Sequence, residues 1–369
     1  MKKLLLSSVA ALSVMAVVGP VHAADKLKLD LSGFFIGSAA FVDQDLDFGK
    51  RDYAFGSDSE IHFTGEMTLD NGLLVGFHAE GKLEEDVGGA SRGLTPEDGV
   101  DFIQETFVYF EGAFGRFEFG KQDGVAHQMT TTGPTIFAGN TLNDAELDAS
   151  GLIGAINTDN TVNNGLDEFE RKLIYFTPMI GGFQAGFSFT PDSDGFQGST
   201  FDPRIDIIPG VQEEAIEVGV SYQSTFDGTS MGDVTLGISG TYLTANLNAP
   251  LAGSKDLEAW NVGLQVGVAG FTIGGSYKDS NLGSTTTDYE AWEVSGTYEL
   301  GPWGFMLGYG ESEFDSFLDL ETMAVEGGVD FMLGAGVSLG GGVQYIDTEL
   351  GGANVDDATV VFIETMVAF

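Results

Sequence analysis

Apolar and polar residues alternate one by one along this chain, repeatedly, and that period leaves few folds open to it. From Asp58 to Asp70 the even positions are Asp58, Glu60, His62, Thr64, Glu66, Thr68 and Asp70, while the odd ones are Ser59, Ile61, Phe63, Gly65, Met67 and Leu69. Successive side chains of a strand point to opposite faces, so such a segment has one wet face and one greasy face. Asp70-Asn71-Gly72 supplies a turn, and the pattern resumes with Leu73, Val75, Phe77, Ala79 and Leu83 against His78, Glu80, Lys82 and Glu84. Pairing Leu69 with Leu73 across a three-residue loop keeps both apolar rows on one side of the hairpin, which a two-residue loop would not. No stretch downstream of the N-terminal segment has the period of an amphipathic helix of three turns.

The same grammar yields sixteen segments, beginning near residues 26, 58, 73, 102, 114, 169, 182, 213, 234, 257, 271, 288, 305, 321, 337 and 358. Each is long enough for the roughly 9–11 residues of a tilted membrane strand. Their connections alternate between short ones rich in Gly, Pro or Asn (near 71, 113, 180, 229, 269, 302 and 335) and longer polar ones (near 50, 93, 145, 202, 251, 283, 316 and 352). That layout predicts an all-β fold: a 16-stranded antiparallel transmembrane β-barrel with its short turns at one end. A sandwich also alternates, but sixteen consecutive strands exceed what one open sheet holds without splitting. Aromatic residues at segment ends (Tyr277, Trp303 with Phe305, Tyr345, Phe369) suit interfacial girdles, and the last segment carries Val361, Ile363, Thr365, Val367 and Phe369 on one face. The chain end is expected to pair with the first strand near Lys26 to Leu31.

At the N-terminus Lys2 and Lys3 precede an apolar run from Leu4 to Val18 and a small-residue site, Val21-His22-Ala23. The run is too short for a spanning helix and reads as a secretory signal peptide, residues 1–23, leaving 24–369 as a single barrel. With 56 Asp plus Glu against 15 Lys plus Arg, the formal net charge is −41, which would repel a phosphate backbone and excludes nucleic acid as a partner. The chain contains no cysteine, so disulfides, thiolate metal sites and a Cys nucleophile are also excluded.

Residues 112–121, Gly-Ala-Phe-Gly-Arg-Phe-Glu-Phe-Gly-Lys, followed by Gln122 and Asp123, resemble the G-x-F-G-x-x-x-x-G-(K/R)-Q segment of the general porins of Gram-negative outer membranes. Arg171-Lys172-Leu173-Ile174-Tyr175-Phe176-Thr177-Pro178, running into Gly181-Gly182-Phe183-Gln184-Ala185-Gly186-Phe187, is similar to a second segment of that family. Extended over the mature chain, most closely to the alphaproteobacterial branch, the resemblance implies a trimeric barrel in outer-membrane lipid, passing small hydrophilic solutes and ions. It also implies a third long loop folded inward to narrow the pore. Here that loop is residues 122–168, with acids including Asp123, Asp144, Glu146, Asp148, Asp159, Asp167 and Glu168 and no Lys or Arg between Lys121 and Arg171. Inside a lumen those carboxylates would attract cations, with Asp144, Glu146 and Asp148 as the candidate constriction acids. Family porins oppose such acids with wall bases. Arg171 matches the arginine that opens the sixth strand, but the other two positions fall on Glu60 and Gln104; Lys82, across the hairpin from Glu60, would compensate in part, and Glu80 adds a further wall acid.

An enzyme is not expected, because no HExxH or phosphate-cradling loop is present. His62 and His78 would be diagonal lumen neighbours beside Glu80, open to a metal or acid/base role or to a plain polar wall; His127 falls in the long loop. No resident cofactor is expected, although the acidic loops could take Ca²⁺ weakly through oxygen ligands. The alternative is a substrate-specific outer-membrane channel, which would show a ladder of lumen aromatics; Phe34, Phe102 and Phe110 are the only hints of one in the early strands.

Overall fold

Tight turns set the hairpins in register. At the first, the Leu69 N–H donates to the Leu73 carbonyl (2.8 Å) across the expected three-residue loop, with Gly72 at a φ of 83° that only glycine adopts freely. The computed structural model describes residues 27–45, 51–84, 103–139, 142, 170–192, 212–229, 232–247, 253–316 and 319–369. The signal segment, residues 1–23, lies outside them.

Among the described residues there are sixteen strands and one single-turn helix. The first half comprises β1 (Lys28–Gln44), β2 (Tyr53–Thr68), β3 (Leu74–Glu84), β4 (Ile103–Gly112), β5 (Gly115–Lys121), β6 (Arg171–Phe176), β7 (Phe183–Asp192) and β8 (Gln212–Thr229), with α1 (Val125–Gln128) after β5. The second half comprises β9 (Gly232–Leu247), β10 (Leu257–Val268), β11 (Phe271–Ser280), β12 (Asp288–Leu300), β13 (Trp303–Asp315), β14 (Leu320–Gly334), β15 (Val337–Leu350) and β16 (Ala353–Ala368). Each strand pairs antiparallel with its neighbours in sequence, and β1 pairs with β16, so the sheet closes on itself. At the seam Gly33 and Phe369 exchange two backbone hydrogen bonds of 3.0 Å, and pairing continues from Phe34 with Ala368 to Gln44 with Ala358. The chain end therefore meets Gly33 rather than Lys26 to Leu31. Strands in a closed barrel are staggered, and that offset leaves Lys28 to Ser32 pairing with β2 beyond the end of β16.

All sixteen expected segments are strands, but two of the eight expected long connections are short. β13 and β14 are separated by residues 316–319, and β15 and β16 by Gly351-Gly352, with φ of 60° and 74°. Both hairpins extend instead as strands whose ends are acidic, through Glu313, Asp315, Asp347, Glu349 and Asp356, and two glycines with positive φ suit the tight turn that joins such strands.

Along each strand one row is apolar and exposed, as in Phe63, Phe77, Val218, Leu264, Val294 and Ile363. Polar side chains such as Glu217, Glu293 and Glu364 occupy the opposite, buried row. Aromatic pairs mark both ends of the exposed face: Phe183 with Tyr222, Phe271 with Tyr298 and Trp303 with Phe331 near the short turns, and Trp260 with Tyr277 and Trp292 with Tyr309 toward the other end. This is an outside-out arrangement suited to lipid, with the apolar band bounded by two girdles. The assignment of faces is testable. Phe63→Arg places a charge toward lipid in mid-strand and should cost roughly 2–4 kcal/mol of folding stability. Thr64→Arg, one residue on and facing inward, should cost much less; reversible urea unfolding into phosphatidylcholine vesicles would compare them, and equal losses would reverse the assignment.

Candidate pore constriction and inner loop

The row opposite the lipid-facing one encloses a chain segment. After β5 the backbone turns inward at Gln122, forms α1 and runs along the inner wall as far as Gly139. It is held there mainly by glutamates of the wall. The Asp123 N–H donates to Glu105 (3.2 Å), Ala126 to Glu217 (2.7 Å), Gly133 to Glu293, Ala138 to Glu364 (2.8 Å) and Gly139 to the other oxygen of Glu364 (3.1 Å). Hydroxyls and an amide fill the intervals: Ser188 accepts from Val125, Ser239 from Thr131, and Gln265 donates to the Thr132 carbonyl. Segments of loop backbone carry N–H groups with no ladder partner, and a carboxylate is a strong acceptor for them. The anchors lie on β4, β7, β8, β9, β10, β12 and β16, so they are spread around the wall from β4 to the last strand.

Close approach requires a wall without side chains at particular places. Gly263 lies beneath the Thr131 carbonyl, where any Cβ would collide with backbone, and Gly186 and Gly219 lie beneath Val125 and Met129. Farther along, Phe137 sits over Gly328 and Gly340 and packs edge-on against Phe362 of β16, 4.8 Å between ring centroids. Leu142 packs among Ala291, Ala324, Ile346 and Ala358.

Facing the start of this segment, β2, β3 and β4 present a polar cluster. Pairing sets His62 opposite Glu80, Thr64 opposite His78, and Glu80 opposite Glu105. His62 Nε2 lies 3.1 Å from Glu60 and 3.6 Å from Glu80; His78 Nε2 lies 3.8 Å from Glu80 and 4.0 Å from Glu105. Lys82 pairs in register with Glu60, but its ion pair, 3.4 Å, is with Asp58. The bulge between β3 and β4 falls at Gln104, and Glu105 takes the place in the lumenal row, alongside Phe107 and Tyr109. Toward the short-turn end, Arg116 bonds Glu118 and Glu111 and lies 3.8 Å over the Tyr109 ring, whose hydroxyl donates to Glu66.

Arg171 is not among the lumenal bases. It shares the exposed row of β6 with Leu173, while Lys172 is buried and donates to the Gln122 carbonyl where the loop turns inward. Alternation gave no guidance here, because the inward row of β6 is also apolar: Ile174 and Phe176 pack against Val125 and Met129. Asp144, Glu146 and Asp148 lie outside the described residues. Of the aromatic hints of a substrate ladder, Phe110 faces outward, Phe34 touches the edge of His62 and Phe102 lies outside the described residues. Arg116, Lys172, Glu105 and the loop-anchoring glutamates were not singled out from the sequence. The parity of Glu217, Glu293 and Glu364 within their strands was readable, but that of Glu105 and Lys172 was not, and neither were the partners of any of them, far away in the chain.

The anchoring scheme makes a local prediction. Glu364→Ala removes the acceptor of two N–H groups, and a lost bond to a charged group is worth about 1.5–3 kcal/mol. Amide exchange at Ala138 and Gly139 should therefore accelerate by tenfold or more while amides within β8 to β12 keep their protection. Unchanged exchange would show that Glu364 does not hold the loop.

Comparison with known proteins agrees with this architecture. The Gram-negative porin family matches residues 9–351. Outer membrane porin protein 32 of Delftia acidovorans is 26% identical over 298 residues, covering 78% of this chain and 80% of the relative. An uncharacterised protein of Rickettsia bellii is 23% identical, covering 88% and 89%. Among solved structures, the anion-selective porin from Comamonas acidovorans superposes with a TM-score of 0.62 at 17% identity, over 93% of this chain and all of that one. The trimer form of OmpT from Vibrio cholerae superposes equally well at 16% identity, over 94% and 100%. A closed sixteen-stranded barrel with a lipid-facing apolar band, an inner loop and a family match over nearly the whole chain place this protein among the Gram-negative porins, the non-enzymatic channels of the outer membrane.

Proposed function

We propose that this porin is a cation-preferring channel for passive diffusion of small hydrophilic solutes and ions, and that it assembles as a homotrimer. The observation that carries the preference is the excess of carboxylates over ammonium and guanidinium groups on the lumenal wall where the inner loop begins. Asp58, Glu60, Glu80, Glu105 and Asp123 gather there, whereas Lys82 is engaged by Asp58 and Arg116 by Glu111 and Glu118. Carboxylates in a narrow aqueous passage raise the local cation concentration and repel anions. Asp144, Glu146 and Asp148, later in the same loop, would add to that field. The Comamonas porin is described as anion-selective; at 17% identity that likeness is one of fold. The trimeric form of the Vibrio OmpT supports the assembly.

Zero-current potentials across planar bilayers in a potassium chloride gradient test this reading. The parent channel should favour potassium. Glu60→Gln, Glu80→Gln and Glu105→Gln combined, and separately Asp144→Asn, Glu146→Gln and Asp148→Asn combined, should each move the potential toward that of free diffusion. The parent's preference should shrink at 1 M salt, where the Debye length is about 3 Å. An anion-selective parent, or two triple variants with unchanged potentials, would overturn the proposal.

A further inference from the structure

We propose that His62, His78 and Glu80 form a binding site on the lumenal wall for a divalent transition-metal ion of the zinc(II) or nickel(II) class. Channel function requires no such site, and a wall meant only to be polar has no need to converge two imidazoles on one carboxylate. Here both Nε2 atoms converge on the same Glu80 oxygen, at 3.6 and 3.8 Å, and the ligand atoms of the three residues lie within 4.8 Å of one another. Ligands held about 2.0–2.2 Å from a tetrahedral ion are roughly 3.3–3.6 Å apart, so the two imidazole–carboxylate separations already stand close to edges of a coordination polyhedron.

The orientation of the His78 ring supports the same assignment. His78 Nδ1 lies 3.0 Å from the Thr64 hydroxyl. With Nδ1–H donating to that oxygen, the free electron pair is on Nε2, facing Glu80, and the contact holds the ring plane for a metal. Glu60, 3.1 Å from His62 Nε2, and Glu105, 4.0 Å from His78 Nε2, flank the cluster and offer a fourth ligand on either side. The framework is rigid, because the residues occupy paired positions of two hydrogen-bonded strands. It is also accessible: the side chains of His62, His78 and Glu80 retain 27%, 18% and 15% exposure on the lumenal face, so an ion can arrive through the pore. Two imidazole nitrogens select borderline metals over calcium and magnesium, which favour shells of oxygen ligands. Glu105 also accepts the Asp123 N–H, so a bound dication would sit where the inner loop leaves the wall and would offset the negative field there.

Titration calorimetry of the full-length barrel folded in detergent, with zinc chloride and nickel chloride, tests the site. The expected result is one ion per barrel, not displaced by excess calcium. His62→Gln and His78→Gln should each weaken binding by more than tenfold, and Thr64→Val by about 10-fold to 100-fold, the usual effect of losing a partner that orients a ligand. His127→Gln, in α1 and outside the cluster, should leave binding unchanged. X-ray absorption of the zinc-loaded parent chain, which needs no variant, should show two imidazoles per zinc. Binding that calcium displaces, a shell of oxygens alone, unchanged affinity in the folded His62 and His78 variants, or loss only in the His127 variant would each overturn the proposal.

Discussion

Hydrocarbon offers no partner to a backbone N–H or C=O, and each group left unpaired there costs several kcal/mol. A chain that crosses lipid as strands therefore has to return its last strand to its first. The paired hydrogen bonds between Gly33 and Phe369, and the register that continues from Phe34 to Gln44, meet that demand. Much else follows from the closure. It separates the two faces of every strand into an outside and an inside, so alternation becomes a division between Phe63 or Phe77 in lipid and His62 or Glu80 around water.

The interior sets a second problem, because a barrel of this size is wider than its own side chains can fill. The chain solves it with a segment of itself, and the chemistry of that solution is unusual for a wall. Carboxylates that would otherwise only line water instead accept hydrogen bonds from loop backbone: Glu217 from Ala126, Glu293 from Gly133, Glu364 from Ala138 and Gly139. Part of the strong acidity of this sequence is thus structural, holding the loop, and part, around Glu60 and Glu80, remains turned to the passage.

Strand number, strand faces and the Leu69–Leu73 turn were legible because they depend on local alternation and local turn chemistry. Two faces were misread. In β4 the inward row is Glu105, Phe107 and Tyr109, not the row of Gln104 and Phe110, and the bulge at Gln104 hides the change of parity. At Arg171 alternation fails: with Ile174 and Phe176 inward and Leu173 outward, both rows of β6 are apolar, and Lys172 rather than Arg171 reaches the lumen. The two connections read as long, near 316 and 352, were polar because strands projecting past the girdles meet water on both faces. What no local rule could show was the destination of the inner loop. Gly263 and Gly328 read as ordinary strand glycines until the Thr131 carbonyl and Phe137 lie against them.

The distance between loop and anchors along the chain also dictates an order of assembly. Ala126 finds its acceptor 91 residues downstream, Gly133 finds its own 160 downstream, and Ala138 waits for Glu364, 226 residues away. Contacts of such separation carry the largest loop-closure cost and form late. When β5 is complete only β4, through Glu105, stands beside the start of the loop, and the strands that hold the rest of it lie further along the chain. By loop-closure cost the anchors on β7 to β12 come within reach of the loop first and Glu364 of β16 last, so the strand that closes the wall is also the one that fixes the far end of the loop.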